Sequence, residues 1–126
     1  MATAVLARER TRTKQVQDLS PSEKAECAAL TLSGTGGYGL MQGKLLSDKG
    51  TKWATMLRDT DGNLIGWALV FREYSRNAAY FFVDKAWRKQ GVGTHLYRSV
   101  RRKFGIVKVY PWDNTSRAFF SKVGAT

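Results

Sequence analysis

The chain has 126 residues and 43% of them are apolar, which is ordinary for one globular domain with its own core. Its one cysteine, Cys27, excludes an internal disulfide and a cysteine-rich zinc site, and no apolar run reaches the ~18 residues of a membrane-spanning helix. The net charge is +11 and unevenly placed: residues 85–126 hold ten Lys/Arg and a single acid, Asp113.

Residues 4–10 read either as a first strand or, with Arg12 and Lys14, as a loose basic arm covering residues 1–15. Met1 to Arg12 lacks the apolar centre of a signal peptide, so the expected location is the cytoplasm. Ser20-Pro21-Ser22-Glu23 reads as a helix start. Ser20 is the N-cap, Pro21 the first helical residue and Glu23 the partner in a capping box. The helix is expected to run to about Leu32 and stop at Gly34. Gly34-Thr35-Gly36-Gly37-Tyr38-Gly39 has the spacing of a dinucleotide fingerprint. It follows a helix rather than a strand, so it is expected to be a loop.

Lys52 to Arg58 reads as a strand, and Asp59-Thr60-Asp61-Gly62-Asn63 as the turn after it. Leu64 to Tyr74 is the next strand. Ile65, Trp67, Leu69 and Phe71 are expected on one face, and Leu64, Gly66, Ala68 and Val70 on the other. Both faces are apolar, which predicts a central strand covered on both sides. Ser75-Arg76-Asn77 is the expected turn into a strand from Ala78 to Val83. Arg88-Lys89-Gln90-Gly91-Val92-Gly93 then leads into a helix from Thr94 to Phe104, with Val92, Leu96, Val100 and Phe104 as its buried stripe. Gly105 ends that helix, Ile106 to Tyr110 is a strand, and Asn114 to Val123 a last helix before Gly124. The strand–helix–strand unit from Ala78 to Tyr110 must be parallel and right-handed.

A strand, a glycine-bearing turn and a helix start make an anion site. The glycines permit close backbone approach, and the amides of the first helical turn lack intrahelical partners. The basic half of the chain is either a solvated face or a surface for a polyanion.

The run from Arg88 to Gly93 resembles the Arg/Gln-x-x-Gly-x-Gly/Ala signature of the GNAT superfamily of acetyl-CoA-dependent N-acetyltransferases. Gly91-Val92-Gly93-Thr94-His95-Leu96 is similar to that turn in histone acetyltransferases. Asn63-Leu64-Ile65-Gly66, Val83 through Leu96, and Asn114 to Gly124 match the family in order, over roughly half the chain. The resemblance implies an α/β fold: a mixed, mostly antiparallel sheet with flanking helices and a βαβ acetyl-CoA-binding core, shortened at its C-terminal end. The shortened edge leaves room for a homodimer or another partner to complete the sheet.

The resemblance also assigns roles. Acetyl-CoA, as acetyl donor, would hold its pyrophosphate on the backbone of Arg88, Lys89, Gln90, Gly91, Val92, Gly93 and Thr94. Its pantetheine arm would lie along Phe82 and Val83, with Asn114 and Phe120 also against the cofactor. The Val83 amide would polarise the thioester carbonyl. The implied reaction moves an acetyl group to a primary amine by direct attack in a ternary complex, since no activated nucleophile is visible. A protein Lys or N-terminus, or a nucleic-acid-linked amine, fits as acceptor. The acceptor is expected to enter beside the Gly34–Gly39 loop and Tyr74.

Two positions depart from the family. Phe120 stands where a Tyr general acid is usual, and Asn77 where histone-type relatives carry a Glu base. Glu73 is the nearest carboxylate to Asn77 and is the candidate base; a solvated edge-strand charge is the equal alternative. The departures leave room for a non-catalytic protein of the same fold that engages an acidic protein or nucleic acid. His95 is expected to face solvent or the cofactor, and Cys27 to be buried packing. Nothing in the sequence supports a metal site.

Overall fold

Two apolar faces on one strand, Leu64–Glu73, place it at the centre of the molecule. The computed structural model describes residues 10–35, 50–87 and 90–109, with side chains from 11 to 30 in the first of these segments. Among them five strands form one sheet in the order β1 (Arg10–Gln15), β2 (Lys52–Arg58), β3 (Leu64–Glu73), β4 (Arg76–Val83) and β5 (Val107–Val109). The first four pair antiparallel; β4 and β5 pair parallel, Asn77–Ala79 against Val107–Val109. Helix α1 (Pro21–Thr35) and helix α2 (Val92–Phe104) cover the two faces. Leu57, Ala68, Val70, Phe81, Leu96 and Val100 fill the α2 side, and Cys27, Met56, Trp67, Leu69 and Phe82 the α1 side.

Local signals explain most of these elements. The Ser20–Glu23 capping box is formed: the Glu23 amide donates to Ser20 Oγ at 3.1 Å and the Ser20 amide to Glu23 Oε1 at 2.8 Å. Asp59 Oδ1 accepts the amides of Asp61 and Asn63, both at 2.9 Å, which closes the β2–β3 turn. Arg58 ties that turn to α1. It donates to Glu26 at 2.7 and 2.9 Å and to the Gly62 carbonyl at 2.9 Å. Gly105, at φ +78, caps α2 with its amide on the Arg101 carbonyl.

Several boundaries and faces differ from the sequence reading; among them, helix α2 begins at Val92 rather than Thr94 and β5 at Val107 rather than Ile106. The first strand lies at Arg10–Gln15, including Arg12 and Lys14. Its basic side chain Lys14 is paired with Glu23 at 3.1 Å, which makes a charged strand tolerable. Helix α1 continues through Gly34 to Thr35, since one glycine in a last turn costs only ~1 kcal/mol. The β3–β4 turn is Tyr74–Ser75, closed by the Glu73–Arg76 pair, so β4 starts at Arg76. The simple alternation along β3 fails at its start. Leu57 pairs with Gly66 but Arg58 with Leu64, a bulge that turns Ile65 to the α2 side and Leu64 to the α1 side. Residues 1–9, the loop from Gly36, and the segment from Tyr110, including the expected last helix and the shortened sheet edge, lie outside the described residues.

Candidate cofactor and active site

The site is built where β4 ends and α2 begins. The Asp84 amide donates to the Ile65 carbonyl at 2.9 Å, one step beyond the Gly66–Val83 pair. In an antiparallel ladder this makes Gly66–Val83 a non-hydrogen-bonded pair, so the Val83 N–H is directed away from β3, toward the side where β5 pairs. Asp84 also organises the descent from the strand. Its Oδ1 accepts the Ala86 amide and its carbonyl the Trp87 amide, both at 2.9 Å, shaping a single helical turn at Lys85–Trp87. Gln90 Nε2 then donates to the Ala86 carbonyl at 3.0 Å, drawing the chain back toward α2.

Gly91 sits at the helix N-cap with φ +88 and ψ 0, a left-handed conformation that a side chain resists. Its carbonyl accepts the His95 amide at 2.9 Å, which starts the helix. Among the described residues no side chain caps this end, and no acid lies in the first turn. The amides of Val92, Gly93 and Thr94 therefore present donors and the positive end of the helix dipole. A Cβ on Gly91 would meet no described atom within 4 Å.

The helix start reaches the strand end because Gly66 lies beneath it. A Cβ there would stand 2.9 Å from Val92 Cγ1 and 3.3 Å from the Phe82 carbonyl oxygen. The structure thus brings Phe82, Val83, Gln90, Gly91, Val92, Gly93 and Thr94 together. Arg88, Lys89, Asn114 and Phe120 lie outside the described residues. Gly66 itself was assigned no role in the site from sequence; an isolated glycine inside a strand is the signal that marks such a close approach.

Glu73 is not brought to this site. Its register partner is Arg76, seven strand positions from Val83, about 23 Å at ~3.3 Å per residue. Its carboxylate faces Arg76 across the hairpin at 3.6 Å. Glu73, the candidate base, and Tyr74, beside which the acceptor is expected to enter, thus stand at the hairpin end of β3. Asn77 is structural, donating from Nδ2 to the Phe104 carbonyl at 3.2 Å and accepting from Arg72 at 3.2 Å. His95 is tied to the first strand, its Nε2 3.1 Å from Thr11 Oγ1, a link that no local signal announces. Cys27 is fully buried, and burial pushes its thiol up to about 12, which leaves no thiolate for nucleophilic chemistry near neutral pH.

Comparison with known proteins decides the family. The profile of the acetyltransferase (GNAT) domain matches residues 52–124, more than half of the chain and the whole of the β2-to-β5 unit. The chain belongs to the GNAT family. No match is found among curated proteins. Among solved structures, an acyl-CoA N-acyltransferase from Pseudomonas aeruginosa superposes with a TM-score of 0.69 at 17% identity, over 92% of this chain and 87% of that one. The glucosamine N-acetyltransferase region of a fungal multi-domain beta-N-acetylglucosaminidase gives 0.66 at 20% identity, over 94% of this chain but 17% of that much longer one. An aminoglycoside 6'-N-acetyltransferase complexed with coenzyme A gives 0.54 at 14% identity, over 78% and 60%. At these identities the likeness is one of fold. This GNAT chain shares with them the mixed α/β fold.

Proposed function

We propose that this GNAT protein transfers an acetyl group from acetyl-CoA to a primary amine by direct attack in a ternary complex. The observation that carries the reading is the pairing of an uncapped helix start at Gly91 with a Val83 amide directed away from β3. The first accepts a −2 pyrophosphate; the second donates to a thioester oxygen as it gains charge in the tetrahedral transition state. Both are backbone groups, so they are fixed by the fold before any ligand arrives and require no side-chain ordering on binding.

In this reading the amine nitrogen attacks the thioester carbon, the carbon–sulfur bond breaks, and the electron pair leaves with the CoA sulfur. The displaced ammonium proton passes to solvent or buffer in the first instance, because Glu73 is remote. A covalent acyl-enzyme is disfavoured by the burial and raised pKa of Cys27. The acceptor class is an amine on an acidic protein or on a nucleic acid, in keeping with the +11 charge. The cytoplasm is the compartment in which acetyl-CoA would be met.

One specific observation favours a second reading. Asn77 stands where histone-type relatives carry a Glu, but it holds the end of α2 and lies six strand positions from Val83, about 20 Å. No base from this position reaches that amide, so the chain could bind acetyl-CoA without turning it over. A thiol-release assay across protein, peptide, aminoglycoside and aminoacyl-nucleic-acid acceptors separates the two. Acceptor-dependent CoA release supports transfer. Acetyl-CoA binding with release no faster than hydrolysis in its absence supports the non-catalytic reading.

A further inference from the structure

The end of the sheet remote from the helix start lies about 23 Å from the Val83 amide. β3 and β4 are joined there by the two-residue turn Tyr74–Ser75. Tight hairpin turns of this length require a left-handed first residue, a place for Gly, Asn or Asp. Tyr74 takes it, with φ +58, and its side chain packs against almost nothing, being 95% exposed. A bulky residue in that conformation costs ~1–2 kcal/mol, and at this exposure packing does not repay it. Ile106, 80% exposed, lies at the same end, one step before Val107, which pairs with Asn77.

Helix α2 delivers charge to this end. Asn77 draws in its last turn through the Phe104 carbonyl, and Arg102 and Lys103 of that turn are exposed. Arg72, also exposed, reaches Asn77 from β3 and stands on the same α2-facing side. Arg101 is partly engaged, donating to the Tyr97 hydroxyl at 3.2 Å. Across residues 69–81 and 97–109 the sequence has a single acid, Glu73, and it faces Arg76. The result, among the described residues, is an exposed aromatic ring at the same end of the sheet as the exposed cations Arg72, Arg102 and Lys103.

We propose that this end of the molecule binds single-stranded nucleic acid, with phosphates on Arg72, Arg102 and Lys103 and a base stacked on Tyr74. Cations alone fit any polyanion. The ring held out in solvent adds what an unpaired base needs, a flat apolar face beside phosphate-binding groups, and an acidic peptide draws no comparable gain from it. The surface lies about 23 Å from Val83, the reach of the seven strand positions between them. The proposal therefore stands apart from the acetyl-transfer reading, and the two ligands are expected not to compete.

Fluorescence anisotropy with a short labelled oligo(U), at low and moderate salt, tests it. The expected result is salt-sensitive binding, retained in Tyr74→Phe and weakened roughly 5–100-fold in Tyr74→Asn, which removes the ring and suits the turn. Arg72→Glu with Arg102→Glu should weaken binding further and flatten the salt slope by the share of about two phosphates. Acetyl-CoA binding, followed by calorimetry, should be unchanged in all of them. Absence of oligo(U) binding at low salt overturns the proposal, as does equal affinity of wild type and Tyr74→Asn. Binding of poly-glutamate in preference to oligo(U) also overturns it and assigns the surface to acidic proteins.

Discussion

Gly66 and Leu96 are placed so that a methyl group on the glycine would stand 2.8 Å from Leu96 Cδ1. Leu96 is fully buried, and Val92 beside it is nearly so, leaving neither side chain room to retreat. Gly66→Ala should therefore overpack the α2–β3 contact and cost roughly 1–3 kcal/mol. Thermal melts should show a clear fall in Tm. A Gly66→Ala protein as stable as wild type would mean that α2 does not rest on β3 at this point.

The α1 ion pairs give stability a pH dependence of known sign. The Arg58 guanidinium holds the Glu26 carboxyl below its usual 4.5, and the Ser20 amide, with Lys14, does the same for Glu23. A carboxylate whose folded pKa is depressed contributes stability that is present above the unfolded pKa and lost as pH falls through the folded one. Glu26→Gln should thus be less stable than wild type at pH 7. The gap should narrow as the pH is lowered past 4.5. Denaturant titrations at neutral and acid pH check this; a gap that stays constant removes the pair from the account.

Glu73→Gln should leave acetyl transfer within about threefold of wild type, because the carboxylate lies at the hairpin and not at the Val83 amide. A general base normally contributes ~10²–10⁴-fold. A loss of that size in kcat, with acetyl-CoA affinity unchanged, would restore Glu73 to the chemistry and require a different path between the two ends of β4.

Much of this was legible in the sequence where the determinant is local. The capping box at Ser20–Glu23, the Asp59–Asn63 turn and the four-residue apolar spacing in α2 each fix their element through neighbours in the chain. Gly91 was legible for the same reason: its spacing to Gly93 marks a turn that only glycine enters easily. What escaped depends on register. The bulge opposite Arg58 reverses the faces of Leu64 and Ile65, and the adjacent Gly66 marks an irregularity without saying which residue is displaced. The Tyr74–Ser75 turn escaped because tyrosine is a poor residue for it, so propensity pointed two residues further on. Glu73 was close to Asn77 in sequence, yet the ladder sets it a strand's length from the site.

Calorimetric titration of acetyl-CoA into wild type and Gly91→Glu tests the central claim most directly. Glu at this position places a carboxylate beside the α2 amides, where the pyrophosphate is proposed to lie, and also strains a φ of +88. Gly91→Asn, which tolerates left-handed backbone and adds no charge, controls for the strain. The account predicts binding at about one acetyl-CoA per chain in wild type, reduced binding at most in Gly91→Asn, and none measurable in a folded Gly91→Glu. Undiminished binding in folded Gly91→Glu would contradict the site.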